Sequence, residues 1–248
     1  MKSFEENLKE LQDLIDKSNK IVFFGGAGVS TESGIPDFRS KDGLYNQHDV
    51  RFDAFSAEYL LSHSCLYDNP EVFFEYYRQK LNCSGIKPNI THYKLAELEK
   101  AGKLLAVITQ NIDGLHQAAG SKNVLEIHGT TRRVYCNRCK KEFNPDIIFE
   151  STEPVPKCDC GGMLRPDVTL YEESLPQKAW EEAVFALQSA DLFIIGGTSL
   201  MVYPANTLMR YFNGGKTVII NIDKTHEDEN ADLVIHEGLG RVFEKIKV

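Results

Sequence analysis

Four cysteines in one short stretch have the spacing of metal ligands. Cys136 and Cys139 form a C-x-x-C pair, and Cys158 and Cys160 form a C-x-C pair that two glycines follow. Each pair can chelate one ion, and the long spacer allows both pairs to reach the same ion. Four thiolates suit Zn²⁺ and leave no coordination position for water, so the spacing predicts one structural zinc ion per chain. The alternative interpretation is two redox pairs or four unrelated thiols.

Polar and glycine-rich segments follow four apolar runs of the chain. The run IVFF leads into a glycine turn at residues 25–28, whose backbone amides are suited to a pyrophosphate. The runs LLAVIT, LFIIG and TVII lead into QNIDGLH (110–116), GTSL (197–200) and NID (221–223). Open α/β sheets bind ligands at the carboxyl ends of their strands. Together these segments, His116 included, predict a dinucleotide site, although any one alone is more often an ordinary polar turn.

The glycine turn departs from the fingerprint of a simple dehydrogenase. Thr31 stands where the third glycine of G-x-G-x-x-G is expected. No acidic residue follows a second strand about twenty positions further on, where such enzymes bind the ribose. Hydride transfer is therefore the less natural interpretation of this site.

His128 lies in the segment VLEIHGTT, between the predicted sheet and the cysteine segment. An imidazole titrates near neutral pH, so this position makes His128 a candidate general base. The alternative is a structural histidine at a domain joint.

The elements that must position these residues follow from the apolar patterns. Continuous, β-branched runs are typical of strands that are covered on both faces. They occur at IVFF (21–24), LLAVIT (104–109), LFIIG (192–196), TVIIN (217–221) and DLVI (232–235). Helical patterns occur at residues 3–17, 91–102 and 177–190. This alternation predicts an α/β fold with a Rossmann-like, doubly wound parallel sheet.

Two segments interrupt the alternation. Residues 41–83 are rich in aromatic side chains and predict a helical insert, and residues 130–166 contain the four cysteines. We expect the two inserts to form one smaller zinc-binding and helical domain. Residues 1–40, 84–129 and 167–248 would then form the Rossmann-like domain that carries the dinucleotide site.

The composition excludes some partners. The 248 residues include 28 Lys and Arg against 36 Asp and Glu, a net charge of −8, which argues against direct nucleic-acid binding. The first residues are charged and helical without a signal-peptide core, and no apolar stretch reaches membrane-spanning length. We therefore expect a cytoplasmic protein with no membrane partner. A monomer is also expected.

Several of these motifs occur together and in the order found in sirtuins. They are GAGVSTESGIPDFRS, TQNIDGLHQAAG, the HG pair at 128–129, the four-cysteine segment and GTSLMVYPAN. Over essentially its whole length the chain resembles the NAD-dependent protein lysine deacylases of the Sir2 family, most of all the compact bacterial deacetylases. The resemblance implies that NAD, as a co-substrate, and an acetyl-lysine peptide or protein meet in a cleft between the two domains.

The resemblance also assigns roles to residues. Ile112 and Asp113 match the nicotinamide pocket, where Asp113 hydrogen-bonds the carboxamide, and Asn111 matches the residue near the nicotinamide ribose. Further contacts to NAD are implied for Ala27, Thr31, Phe38, Arg39, Gln110, Thr198, Ser199 and Asn221, and on the adenine side for Ile222 and Leu239.

The chemistry that the resemblance implies uses NAD as a reagent. The acyl oxygen attacks the ribose carbon as nicotinamide leaves, and His128 then helps to deprotonate a ribose hydroxyl that attacks the acyl carbon. Hydrolysis gives free lysine, nicotinamide and O-acetyl-ADP-ribose. A developing positive charge must be shielded from water during these steps, which is the role implied for Phe38.

The substrate peptide is expected to insert as a strand between two segments, DVTLYEE (167–173) and SLMVYP (199–204). Matching residues are Val168, Leu170, Tyr171, Glu172, Met201 and Val202. Many relatives read V-x-F-G-E in the first segment, and we align Tyr171 with their glycine. Glu172 and Glu173 suit a substrate with basic flanks; the alternative is a solvated acidic loop.

The acyl preference is predicted from the segment FFEYYRQK. Desuccinylating relatives carry a Tyr-x-x-Arg pair there, whereas Glu75 precedes Arg78 by three positions in this chain. A buried carboxylate would repel a negatively charged acyl group, so we expect short neutral acyl groups, acetyl first.

Two other functions remain open at this point. One is an NAD-consuming ADP-ribosyltransferase or glycohydrolase on the same scaffold. The other is a non-catalytic, zinc-containing protein-binding module, which would have no use for Asn111 and Asp113.

Overall fold

A computed structural model describes residues 2–38, 40 and 43–248 of the chain. The helices are α1 (Phe4–Lys17), α2 (Ala57–Leu60), α3 (His63–Asp68), α4 (Pro70–Lys80), α5 (Ile90–Lys100), α6 (Leu115–Ala118), α7 (Asp146–Phe149), α8 (Gln177–Ser189) and α9 (Leu239–Phe243). The strands are β1 (Ile21–Gly25), β2 (Leu104–Thr109), β3 (Val124–Glu126), β4 (Gly129–Cys136), β5 (Glu142–Phe143), β6 (Leu164–Val168), β7 (Leu192–Gly196), β8 (Lys216–Ile220) and β9 (Leu233–Ile235).

The large sheet is parallel throughout, with the strand order β3-β2-β1-β7-β8-β9. The chain runs outward from β1 to β3 and later outward in the other direction from β7 to β9. The order therefore reverses between β1 and β7, and a crevice forms at the carboxyl ends of these two strands. Gly25 pairs with Gly196 at that end. The prediction of a doubly wound parallel sheet is confirmed.

The central strands β1, β2 and β7 read as continuous apolar sequence because helices cover both faces of the sheet there. Phe23 points to one side, into a cluster with Ile15 of α1 and Phe243 of α9. The neighbouring Phe24 points to the other side, into a cluster with Leu187 of α8. Successive side chains of a strand alternate between faces, so both clusters depend on this one strand.

The predicted strands of the large sheet and the predicted helices begin and end within a few residues of the observed ones. Helix α1 begins at Phe4 because Ser3 and Glu6 form a capping box, in which each side chain binds the backbone N–H of the other residue. Strand β3 was not predicted. It has three residues, which is too short for an apolar pattern to distinguish it from a loop.

A smaller antiparallel sheet has the strand order β5-β4-β6 and carries the cysteine segment. It shares one apolar cluster with helices α3 and α4, in which Phe73 and Tyr77 meet Ile148. Arg78 of α4 adds three bonds across this contact, to the backbone carbonyls of Ile148, Glu153 and Pro154. The two inserted segments therefore pack against each other, as the sequence predicted.

In the part of the chain that the structure describes, no helix combines the length and the apolarity that crossing a membrane requires.

Two histidines are buried side by side under the large sheet. The rings of His92 and His116 lie 4.7 Å apart, and both side chains are almost fully buried. His116 was predicted among the polar groups of the ligand site, but its ring points into the core and also lies near Phe23. Burial lowers the pKa of His92 to about 4 and that of His116 to about 3, with the neighbouring His92 adding to the effect on His116. Both rings are neutral in the folded chain.

We expect the stability of the protein to fall as the pH drops below about 6.5, because the unfolded chain binds protons there and the folded chain does not. Each histidine contributes up to about 1.4 kcal/mol per pH unit between 6.5 and its folded pKa. Urea unfolding at pH 7.5 and 5.5 measures the difference, which should be smaller in His116→Gln. The control His48→Gln removes a histidine whose side chain is 97% exposed, and it should keep the wild-type difference. Equal pH dependence in all three proteins would contradict the prediction.

Candidate active site and metal centre

Two glycine turns meet at the switch point of the large sheet. The first follows β1, and the second, GTSL, follows β7. A Cβ added at Gly28 would lie 2.7 Å from the Cα of Gly197, and a Cβ at Gly197 would lie 2.6 Å from the carbonyl carbon of Gly28. Gly197 also has a φ of 60°, which favours glycine. The glycines are therefore needed for the close approach of the two backbones.

The amides of the first turn were predicted to bind a pyrophosphate, and for two of them this is wrong. The N–H of Gly26 donates to the carbonyl of Gly196 at 3.2 Å, and the N–H of Gly28 donates to that of Gly197 at 2.8 Å. Ala27 lies between them and begins a 3₁₀ turn. The physical reason is that joining the two turns uses the same N–H groups that a phosphate would need.

A buried carboxylate lies beside this crevice. Asp113 is 5% exposed and accepts hydrogen bonds from the hydroxyl of Ser30 at 2.7 Å and the backbone N–H of Leu115 at 2.8 Å. Asn111 donates from its side-chain amide to the same Ser30 hydroxyl at 3.0 Å. Burial raises the pKa of Asp113, and the bonds from Leu115 and Ser30 and the charge of Arg132 partly offset the rise. The structure thus brings Asn111 and Asp113 together, as predicted.

Ser30 is a member of this cluster that the sequence analysis missed. It is 1% exposed and links Asn111 to Asp113. A serine in a glycine turn is a common residue with no distinctive spacing. The sequence feature that could have identified Ser30 is its position between Gly28 and Thr31. A side chain at this point of the turn lies near the end of the neighbouring strand.

His128 lies where the chain leaves the large sheet for the small one. Its Nδ1 is 3.0 Å from the backbone carbonyl oxygen of Gln110. A carbonyl oxygen only accepts, so Nδ1 carries the proton and Nε2 is the basic nitrogen of the neutral ring. The backbone carbonyl of His128 accepts a bond from the N–H of Thr169 at 2.9 Å. His128 is thereby fixed to both sheets.

The residue after His128 must be glycine. Gly129 has a φ of 74°, and a Cβ there would lie 2.1 Å from the carbonyl oxygen of Asp167. This contact joins the start of β4 to the end of β6 at the level of His128. The HG pair therefore combines an oriented imidazole with a close passage of two strands.

The crevice has a second link through Gln110. Its side-chain amide donates to the hydroxyl of Thr198 at 3.0 Å, and its backbone N–H donates to the carbonyl of Gly25. Thr198 is buried, whereas the neighbouring Ser199 is exposed. Ile112 accepts two bonds from Thr131 through its carbonyl and packs with the apolar cluster of the small sheet.

The remaining predicted NAD contacts differ in exposure. Thr31 is exposed and bonds back to the carbonyl of Gly28, and Ile222 is 71% exposed. Asn221 bonds to the carbonyl of Asp223. Leu239 is 4% exposed and packs against Gly196, so its side chain belongs to the core and only its backbone is left to contact a cofactor.

Two predicted contacts lie on the long tail of the first turn. Phe38 is partly buried, and its ring packs edge-on against Tyr45 at 5.4 Å. Arg39 lies outside the described residues.

In the first predicted substrate segment, our alignment with the family pattern is shifted by one residue. Among its residues, Glu172 and not Tyr171 has the left-handed conformation, with a φ of 74°. A glycine is favoured where φ is positive, so the glycine of V-x-F-G-E corresponds to Glu172. The alignment of Tyr171 with that glycine is wrong. Val168 and Leu170 are buried in the cluster of the small sheet.

The carboxylates of this segment have partners within the chain, although Glu172 is exposed and Glu173 is partly buried. Glu172 accepts bonds from the N–H and the hydroxyl of Ser64, and both bonds lower its pKa. Glu173 forms an ion pair with Arg165 at 2.5 Å and lies 2.9 Å from His63. Burial raises the pKa of Glu173, but the bonds from Arg165 and His63 outweigh it and the pKa is lowered. Partners within the chain therefore bind both carboxylates, and their attraction for basic substrate flanks stays a prediction.

The second predicted substrate segment follows the GTSL turn. Leu200 is buried and has a φ of 58°, whereas Met201 is 67% exposed and Val202 is partly buried. The left-handed residue reverses the direction of the backbone, so that Met201 points to solvent.

The premise of the acyl prediction is also wrong. The side chain of Glu75 is 49% exposed and pairs with Arg51 at 3.2 Å, so it is not a buried carboxylate. Arg78 donates its guanidinium N–H groups to three backbone carbonyls of residues 148–154. The expected preference for neutral acyl groups then depends on Arg78. Its guanidinium already donates to backbone carbonyls, so it is not placed to pair with the carboxylate of an acyl group.

The four cysteines converge. The Sγ atoms of Cys136, Cys139, Cys158 and Cys160 all lie within 4.8 Å of one another. Tetrahedral zinc with Zn–S bonds of about 2.3 Å needs sulfur atoms about 3.8 Å apart, and the separations of 3.5 and 3.7 Å across the two pairs fit.

The backbone of the cysteine cluster is shaped for thiolates. The N–H groups of Cys139 and Arg138 donate to the Sγ of Cys136 and lower the pKa of its thiol. A Cβ at Gly162 would lie 2.6 Å from that sulfur, which explains the second glycine after C-x-C. Four cysteine ligands suit a structural Zn²⁺ with no open position.

We expect Cys158→Ala to reduce bound zinc from about one ion per chain to near zero and to lower the melting temperature, because three ligands cannot close the site. Metal analysis and thermal unfolding measure the two effects. Cys83→Ala is the control, since this free cysteine lies outside the cluster, and it should keep its zinc. Full zinc content in Cys158→Ala would contradict the assignment.

Comparison with known proteins agrees with this geometry. A model of the Sir2 family matches residues 26–204. The NAD-dependent protein deacetylase of Clostridium acetobutylicum is 50% identical over 97% of this chain and 98% of its own length. That of Clostridium tetani is 52% identical over 95% of both chains. A solved structure of Sir2 with a p53 peptide and NAD⁺ is similar, with a TM-score of 0.84 and 39% identity over 96% of each chain. Since sequence and fold match over nearly the whole length, the chain belongs to the Sir2 family.

Proposed function

We propose that the protein is an NAD-dependent protein-lysine deacetylase, which converts acetyl-lysine, NAD and water to free lysine, nicotinamide and O-acetyl-ADP-ribose. The observation that carries the proposal is the orientation of His128, which the Gln110 carbonyl holds with Nε2 as the basic nitrogen. The buried cluster of Asn111, Ser30 and Asp113 follows the same strand end. Sir2 structures with NAD⁺ and with acetylated peptide support the same assignment.

The buried carboxylate fits the nicotinamide part of NAD. A carboxamide presents N–H donors, and the oxygens of Asp113 are acceptors held in a water-poor site by Ser30 and Leu115. Bound NAD supplies a ribose carbon that releases nicotinamide and takes up the acetyl oxygen. In this site, Asp113 and Ile112 hold the leaving group, and Asn111 lies towards the ribose.

His128 acts as the general base. Its Nε2 takes a proton from a ribose hydroxyl, while the bond from Nδ1 to Gln110 stabilises the imidazolium that forms. Phe38 shields the reacting carbon from water. The other residues that we assign to the NAD site are Ala27, Thr31, Arg39, Gln110, Thr198, Ser199, Asn221, Ile222 and the backbone of Leu239.

The peptide binds as an added strand between residues 167–173 and 199–204. Backbone groups supply the hydrogen bonds of such a strand, so this assignment does not need the carboxylates of Glu172 and Glu173. We assign Val168, Leu170 and Tyr171, the backbone of Glu172, and Met201 and Val202 to this site.

The wider setting follows from charge and cysteine chemistry. We assign residues 1–40, 84–129 and 167–248 to the NAD-binding domain, and residues 41–83 and 130–166 to the small domain. A four-thiolate zinc site suits a reducing compartment, which supports the cytoplasm. A net charge of −8 supports a protein that does not bind nucleic acid directly, and we assign a monomer with no membrane partner.

We expect an acetyl-lysine peptide to be deacetylated only when NAD is present, with O-acetyl-ADP-ribose as a product. Mass spectrometry of the peptide and of the nucleotide products measures both. Deacetylation without NAD would contradict the proposal. Nicotinamide release with ADP-ribose and an unchanged peptide would instead indicate a glycohydrolase.

The mutational part of this test uses two substitutions of His128. His128→Ala should lower kcat by about 10²–10⁴-fold, the usual contribution of a general base, and should keep its zinc. His128→Asn keeps a side-chain donor for the Gln110 carbonyl but supplies no base, so it should be equally slow. Recovery of activity in His128→Asn would indicate that His128 has only a structural role.

The acyl preference gives a separate prediction. A peptide with acetyl-lysine should turn over faster than the same peptide with succinyl-lysine, because Arg78 is held by three backbone carbonyls. Glu75→Gln should leave the ratio of the two kcat/KM values unchanged, since Glu75 is half-exposed and paired with Arg51. Faster turnover of the succinylated peptide would contradict the preference.

A further inference from the structure

The segment that follows the first glycine turn is attached to Leu44 and Tyr45 through Asp37 and Phe38. The carbonyl of Phe38 accepts a bond from the N–H of Tyr45 at 2.9 Å, and the carbonyl of Asp37 accepts one from Leu44 at 2.7 Å. The rings of Phe38 and Tyr45 also pack edge to face. Any ligand that fixes Phe38 therefore also fixes Tyr45.

The peptide-binding segment is attached to helix α3 on the side of Tyr171. The N–H of Tyr171 donates to the carbonyl of Leu61, and its carbonyl accepts from the N–H of His63, both at 3.0 Å. The next two residues add side-chain bonds: the carboxylate of Glu172 accepts from the hydroxyl of Ser64, and that of Glu173 accepts from Arg165 and lies within hydrogen-bond distance of His63. The backbone of Tyr171 is therefore attached to the helical insert.

One hydrogen bond joins these two attachments. The hydroxyl oxygens of Tyr45 and Tyr171 lie 2.9 Å apart in a partly buried position. The path runs from Phe38, which we assign to NAD, through Tyr45 to Tyr171, which we assign to the peptide. Every contact in it is a hydrogen bond or a ring contact with a defined geometry.

We propose that Tyr45 and Tyr171 are positioning residues that couple the binding of NAD to the binding of the acetylated peptide through their hydroxyl pair. The proposal depends on the proposed function, because it takes the two assigned sites as given. NAD that contacts Phe38 holds Tyr45 where its hydroxyl meets Tyr171, and a peptide strand that binds beside residues 167–173 holds Tyr171 for Tyr45. Each ligand then favours the arrangement that the other needs.

The size of the coupling follows from the bond. A hydrogen bond of this kind contributes about 1 kcal/mol, which corresponds to about a fivefold change in affinity. Coupling between two binding equilibria is reciprocal, so NAD and the peptide should improve each other's affinity by the same factor.

The experiment measures the dissociation constant of a fluorescent acetyl-lysine peptide with and without a carbocyclic NAD analogue that is not cleaved. The wild-type protein should bind the peptide several-fold more tightly with the analogue. Tyr45→Phe and Tyr171→Phe should each reduce this enhancement by about fivefold, and the double variant should reduce it no further, because either substitution removes the same bond. Both variants keep the aromatic rings and so the contact with Phe38.

The matched control is Tyr59→Phe, which removes another hydrogen-bonded hydroxyl of the helical insert, a partner of Asn69. It should keep the wild-type enhancement. The proposal is overturned if the wild-type protein shows no enhancement, if the tyrosine variants keep it, or if their effects add in the double variant. Because binding is measured without turnover, an absence of deacetylation would count against the proposed function and not against the coupling.

Discussion

The close contact between the two glycine turns determines where everything else in the site lies. Gly28 and Gly197 meet backbone to backbone, which allows the ends of β1 and β7 to come together. The turn then carries Ser30 across to Asp113, beyond the end of the neighbouring β2. A single Cβ at either glycine would separate the strand ends and remove the serine from the carboxylate. The same contact occupies two of the amides that a phosphate-binding turn usually offers, those of Gly26 and Gly28.

A second joint connects the two sheets. Gly129 passes against Asp167, and the carbonyl of His128 binds the N–H of Thr169. The imidazole is therefore fixed relative to the peptide-binding segment by backbone contacts, while its Nδ1 is fixed relative to the large sheet through Gln110. For the general base that we propose, an imidazole held from both sides needs little rearrangement before proton transfer.

The sequence was sufficient for the sheet and for the residues at its strand ends, because long buried runs and cysteine spacing depend on local pattern alone. It was not sufficient for the directions of side chains. His116 lies among polar residues in the sequence, yet its ring packs on His92. Glu75 lies among aromatic residues, yet it pairs with Arg51 at the surface. These outcomes depend on which neighbour a side chain meets in three dimensions, and no periodicity encodes that.

Glu172 shows how a departure from a family pattern can be explained by local contacts. A positive φ is uncommon for a residue with a Cβ, and glycine would adopt it without steric cost. The carboxylate offsets that cost, because it accepts two bonds from Ser64 at the beginning of α3. A glycine would relax the backbone but leave the segment without this attachment. Glu172 therefore has a strained backbone, but its side chain connects the segment 167–173 to the helical insert. This connection helps to position the neighbouring Tyr171.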